Sequence, residues 1–142
     1  MARFEVSGIA ELENDLIAVM DLPDSVKDGI LNAEADVIAE AQKRTIAAMW
    51  KGHYSTGDTA RAVKKGRVRK NSSGKYITVY PQGSRNRKKK SYRNAEIAFV
   101  NEYGKRGQPG RPAIRTANEQ AADRAVEAGE KVYNEFLDSK NL

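Results

Sequence analysis

A single histidine, His53, and a complete lack of cysteine leave this 142-residue chain with few of the groups that run catalysis or hold a metal. A zinc or iron centre would have to be built from carboxylates alone, a donor set that suits those metals poorly. His53 lies in the polar stretch Lys51–Gly57 with no second histidine, and reads as an ordinary surface residue. Glu11, Asp15, Glu34, Asp36 and Glu40 fall opposite apolar positions of helical repeats and read as a solvated face. Gly107-Gln108-Pro109-Gly110 has glycines but neither the strand–glycine–helix context nor the lysine of a phosphate-binding loop. A nuclease would cluster acids beside its basic residues, and the basic part of this chain contains none. The residue types therefore predict no catalytic site, no cofactor and no metal. The chain is not expected to be an enzyme.

Charge is the feature that departs most from chance. The net charge is +6, but no acidic residue occurs between Asp58 and Glu96, where thirteen of the 25 basic residues lie. The other twelve are outnumbered by the chain's 19 acidic residues. A basic centre between acidic flanks points to contact with nucleic acid or with acidic protein surfaces, another copy of the same chain included. Arg85, Arg87, Lys88, Lys89, Lys90 and Arg93 form its densest part. Tyr76, Tyr80 and Tyr92 are interleaved and suited to stacking on bases. No zinc-finger spacing, aromatic sheet signature or helix-turn-helix accompanies them. The blander reading is a solvated loop that keeps the protein soluble.

The elements that must carry these residues follow from hydrophobic periodicity. With 39 % hydrophobic and 31 % charged residues, the chain has the balance of one globular domain over residues 1–142. No window approaches the ~20 apolar residues of a membrane span, and the N-terminus lacks a signal-peptide core. The expectation is a soluble protein made in the cytosol, with no membrane contact. Phe4 and Val6 alternate as in a short strand over 2–6. Ile9, Leu12, Leu16 and Val19 suit a helix ending near Asp21. Val26, Ile30, Ala33, Val37, Ala41, Thr45 and Ala48 form one stripe of a long helix over 24–49. Thr56 is placed to cap a helical turn through Ala62.

A strand near Lys65–Lys70, a turn at Asn71–Gly74 and a return strand Lys75–Tyr80 predict a hairpin. Residues 84–93 have no apolar period and high like charge, which predicts a mobile loop. Ala95–Tyr103 reads two ways: Ile97 and Phe99 alternate as in a strand, while Ala95, Ala98, Phe99 and Glu102 fit a helix capped by Asn94 and stopped by Gly104, and the helix is preferred. Pro112 opens a last helix whose buried face runs through Ile114, Ala117, Ala121, Ala125, Ala128, Val132 and Phe136. The predicted class is α+β, a small antiparallel sheet packed on two long helices, with a long basic loop.

Three short motifs carry a resemblance. Tyr54-Ser55-Thr56-Gly57 precedes a short hydrophobic turn; Glu102-Tyr103-Gly104 and Arg111-Pro112 follow in order. With the opening Phe4-Glu5-Val6-Ser7-Gly8, the chain resembles the tail-component family of long-tailed phages typified by the tenth gene product of an HK-type lambdoid phage. Ala113 stands where that family usually has phenylalanine, and Thr59 where it often has leucine. The resemblance implies a structural virion protein, a ring subunit that completes the tail or joins it to the head, with assembly and no chemical step. It implies a homo-oligomer touching tail-terminator, tail-tube or head-closure proteins. Non-specific contact with packaged DNA is a further expectation. It places the chain in the virion, and in the host cytoplasm during assembly. Glu102 and Arg111 then become candidates, beside the basic loop, for contacts across a subunit boundary. A free basic nucleic-acid-binding protein is the alternative.

Overall fold

The computed structural model describes residues 22–52 and 56–141. The expected strand over 2–6, the helix over 9–21 and His53 lie outside them. Helix α1 spans Asp24–Met49 and starts directly after Pro23, whose missing N–H costs nothing at a helix entry. After the four-residue helix α2 (Asp58–Arg61) come six short strands: β1 (Val63–Lys65), β2 (Arg69–Asn71), β3 (Gly74–Tyr76), β4 (Val79–Pro81), β5 (Ser84–Arg87) and β6 (Lys90–Arg93). Helix α3 (Asn94–Tyr103), the two-residue strands β7 (Gly104–Lys105) and β8 (Gln108–Pro109), and helix α4 (Ala113–Ser139) complete the chain. The α+β class expected from sequence is the class of the fold.

The two long helices run antiparallel along their whole length. A Cβ on Gly29 of α1 would touch Val132 of α4, one on Gly129 of α4 would press into Glu34, and Ala41 packs with Ala117 and Ala121. Alanines and glycines at these positions let the backbones approach closely, which is the reason the stripes carry so few large side chains. Val37, expected in this interface, is half-buried against the same alanines. Gln42 enters between the helices almost fully buried, where its amide nitrogen donates to Asn118 Oδ1 at 3.0 Å and to the Val79 carbonyl at 3.3 Å. One side chain thereby fixes α1 against both α4 and β4.

The main apolar core lies at one end of this pair. Ile46 and Trp50 from α1, Ala60 from α2, Val63 from β1, Ala98 from α3 and Ala113 from α4 form it, with Val79 and Ile114 packed around them. The strands form hairpins in place of a single sheet. β1 pairs antiparallel with β4, matching Lys65 to Val79, and β2 pairs with β3, matching Arg69 to Tyr76. Three residues (66–68) therefore oppose two (77–78) between the ladders, a bulge that shifts the register by one. Gly66 N–H bonds the Thr78 carbonyl at 2.7 Å across it, and a Cβ on Gly66 would lie 2.9 Å from Thr78 Oγ1.

The resulting ribbon lies along α1 and is tied to its acidic face. Lys65 meets Asp36 at 2.8 Å, and Lys75 meets Asp28 at 2.7 Å and Asp24 at 3.4 Å. The Asp28 hydrogen bond, chiefly, raises the Lys75 pKa above its ordinary value of 10.5. That contribution to stability is complete at neutral pH and is lost as pH rises through the raised value.

Replacing Ala121, which is 0 % exposed, by leucine should push the long helices apart. Overpacking of this kind costs about 1–3 kcal/mol. Thermal unfolding should show Ala121→Leu melting several degrees below the parent, and an unchanged melting temperature would mean the helices do not meet at that position.

Candidate functional site

Three features of the structure bear on the residues singled out by sequence: the crossing of segments 101–115, the basic hairpin, and an exposed aromatic pair.

The crossing is built by Glu102 and Arg111. Both Glu102 carboxylate oxygens accept backbone N–H groups of the first turn of α4, from Ile114 at 2.8 Å and Arg115 at 2.9 Å. Pro112, at the cap position, offers no side-chain acceptor, so a residue from another helix supplies the cap. A carboxylate at this end also faces the positive end of the helix dipole. Arg111 does the converse for α1. Its guanidinium donates to the carbonyls of Met49 at 3.2 Å and Lys51 at 3.3 Å, just where α1 ends, and to Asn101 Oδ1 at 3.1 Å. Trp50 Nε1 donates back to the Arg111 carbonyl at 2.7 Å, and Arg111 N–H bonds the Asn101 carbonyl at 2.7 Å.

Glu102 and Arg111, the candidates for contacts across a subunit boundary, hold two helix ends within the chain. Glu102 is only 8 % exposed. Glycine is required where the strands cross: Gly104 has φ +83°, and a Cβ there would lie 2.6 Å from the Gln108 carbonyl oxygen. Gly110 is equally confined, with the Glu102 carbonyl oxygen 2.7 Å from the place of its Cβ.

The basic segment 84–93 is a hairpin, where the sequence predicts a mobile loop. β5 and β6 pair with Ser84 opposite Arg93, Arg85 opposite Tyr92, Asn86 opposite Ser91 and Arg87 opposite Lys90. Lys88 and Lys89 form the two-residue turn, with φ +50° and +65°. Two successive positive φ values are the geometry of a type I′ turn, which matches the twist of a hairpin. The period-2 signal is hidden because polar residues occupy both faces. Like-charge repulsion is met by ladder hydrogen bonds and by anchors at the base of the hairpin. Asn94 donates through Nδ2 to the Gln82 carbonyl at 2.9 Å and through its backbone to Gly83 at 3.0 Å. Its side chain is turned to this anchor and does not cap α3.

Arg85 supplies the other anchor, donating to Thr56 Oγ1 at 3.1 Å and approaching Asp58 at 3.5 Å. Thr56 in turn donates to Asp58 Oδ2 at 2.7 Å, and Arg61 pairs with the other Asp58 oxygen. Thr56 thus orients a carboxylate, where capping of α2 was the expectation; its contact with an α2 amide is a weak one to Asp58 N at 3.4 Å. The Thr56 hydrogen bond, then Arg61, hold the Asp58 carboxyl below its ordinary 3.8. A lowered carboxylate pKa stabilises above the unfolded value, so this anchor is intact at neutral pH and lost as acid brings the pH through the lowered value.

The sequence sets Phe99 with Ala95, Ala98 and Glu102 among the helical positions of this segment, and Tyr103 in the Glu102-Tyr103-Gly104 motif; neither aromatic is buried. They stand 63 % and 73 % exposed on one side of α3, their ring centroids 4.9 Å apart and tilted by 50°. A groove of about 420 Å³ runs beside them, lined by Tyr80, Pro81, Ala98, Ile114 and Arg115 among others. Their spacing of four along the helix is the signal that sets them on one side of it. Among the described residues no three His, Cys, Asp or Glu side chains gather as metal ligands would. Compared with family models, curated proteins and solved structures, the chain matches none of them.

Glu102→Ala should leave two first-turn amides of α4 without partners in a buried setting. Removal of such a cap costs about 1–3 kcal/mol, and Glu102→Gln, which keeps one acceptor, should cost less. Denaturant unfolding measures both; equal stability of Glu102→Ala and the parent would show the cap to be idle.

Proposed function

We propose that the chain is a structural virion protein of a tailed phage, a ring subunit at the head–tail junction or tail end that completes the tail or joins it to the head. One observation carries this reading. The short motifs of the resemblance are far apart in sequence yet serve one scaffold: Thr56 and Gly57 line a common cavity with Asn101 and Arg111, and Gly104 crosses Gly110 beside them. Motif residues used in this way shape a scaffold that can present surfaces for assembly. The scaffold turns outward an aromatic pair and a groove, and aromatic residues are enriched where protein interfaces bury surface.

On this reading the Phe99–Tyr103 surface receives a second copy of the chain in the ring. Tail-terminator, tail-tube or head-closure proteins lie above and below. A free nucleic-acid-binding protein is the second reading, favoured by the basic hairpin alone. Stoichiometric association with tail proteins separates the two.

Phe99→Ser combined with Tyr103→Ser should leave the subunit folded, since exposed substitutions usually shift stability by only about 0.5 kcal/mol. Assembly should fail, with heads and tails accumulating apart in cells infected by a phage carrying both changes. A normal yield of infectious particles would count against this surface and this role.

A further inference from the structure

We infer that the β5–β6 hairpin binds the phosphate backbone of duplex DNA. In the particle that DNA would be the packaged genome, a placement that rests on the virion reading above. The chemistry rests on the hairpin itself.

Its ten residues, Ser84 to Arg93, are six Arg or Lys, two Ser, one Asn and one Tyr. Every one of these side chains can donate a hydrogen bond, and none is aliphatic. The buried centres of protein interfaces are depleted in lysine, and this hairpin has three at and beside its tip. Phosphate oxygens, by contrast, accept hydrogen bonds from all of these residue types. The composition thus favours DNA over an acidic protein surface.

The register sorts the charges. Arg85 and Arg87 on β5 lie opposite Tyr92 and Lys90 on β6, so these four share one face. Arg93 falls on the other face with Ser84, Asn86 and Ser91. Arg87 opposite Lys90 is a like-charge cross-strand pair, which is unfavourable in an isolated hairpin. Lys88 and Lys89 occupy left-handed positions that asparagine and glycine adopt far more readily. Local geometry is thus compromised at the same residues that concentrate charge, a pattern that points to function.

Partnering within the chain neutralises only part of the basic segment, and Lys64, Arg67, Arg69 and Lys70 of the ribbon stay exposed with no ion pair among the described residues. Lys65 and Lys75 of the ribbon are paired with acids of α1. Lys88, Lys89, Lys90 and Arg93 have no ion pair among the described residues and are exposed. The base is fixed by Arg85 on Thr56 and Asp58 and by Asn94 on Gln82, which presents the tip as a preformed projection. A two-stranded ribbon enters the major groove of B-form DNA, whereas the narrow major groove of A-form RNA excludes it.

The test uses the full chain and a short random-sequence DNA duplex, with binding followed by fluorescence anisotropy across a salt series. Lys88→Asn with Lys89→Gly removes two charges and installs the residues a type I′ turn prefers, so the hairpin is retained; circular dichroism and thermal unfolding check this. The parent should bind without sequence preference, its log affinity falling linearly with log salt. The double variant should bind at least about tenfold more weakly near ~0.1 M salt, with a slope shallower by about 2.

No binding by the parent at low salt, or an unchanged slope in the variant, would overturn the inference. So would competition by polyglutamate as effective as that by DNA of equal charge, which would make the hairpin a general acid-surface binder. Loss of DNA binding in Lys88→Asn/Lys89→Gly supports the phosphate contact whether or not particles form. Normal particles from Phe99→Ser/Tyr103→Ser, with DNA binding intact, would count against the virion interface alone.

Discussion

Two antiparallel helices bring the negative end of α1 beside the positive end of α4, and residues 101–115 satisfy both ends at once. Arg111 places a cation on the last carbonyls of α1, while Glu102 places an anion on the first amides of α4. Each charge is set where the helix dipole favours it. Asn101, Trp50 and the Gly104–Gly110 crossing lock the two in place. The main core of Ile46, Trp50, Val63, Ala98 and Ala113 closes around this junction. Most other elements are positioned relative to it: α3 carries Glu102, α2 packs beneath Trp50, and the ribbon leaves the core along α1.

The fold pairs only part of the basic segment within the chain. Lys65 and Lys75 of the 63–81 ribbon are paired with Asp36, Asp28 and Asp24, an electrostatic seam between ribbon and helix. Exposed pairs of this kind contribute little individually, so the seam sets where the ribbon lies more than how stable it is. The 84–93 hairpin is tied at its base through Arg85 to Thr56 and Asp58, and Lys88, Lys89 and Lys90 at its tip are exposed. The acidic helix thus pairs with two of the thirteen basic residues of the segment. Aromatic and basic surfaces are separate features of the fold, so assembly and nucleic-acid contact need not compete for the same residues.

Much of this was legible in the sequence, and the exceptions have physical causes. The long helices show because alanine stripes at three- and four-residue steps are unambiguous over more than twenty positions. Helix α3 is too short for such a stripe to exclude a strand, since Ile97 and Phe99 also alternate, and Gly104 marks only where it stops. Gln42 could not be read: a polar residue beside an apolar stripe looks solvated until Val79 and Asn118 supply its partners. The bulge at 66–68 hides the true pairing, because a one-residue shift breaks the alternation that marks a strand. The 84–93 hairpin is concealed by its own composition, since a strand polar on both faces carries no period. Glu102 and Arg111 were marked by motif, but their partners come from α4 and α1, some ten and sixty residues away, and no local pattern reveals them.

Native-state hydrogen exchange at the Ile114 and Arg115 amides tests the central constraint most directly. First-turn amides of a helix ordinarily lack intrahelical partners and exchange quickly. If Glu102 caps α4 from within the core, these two amides should exchange only through global unfolding, as slowly as amides in the middle of α4. Fast exchange at both, with the middle of α4 still protected, would contradict the clamp on which the rest of the fold depends.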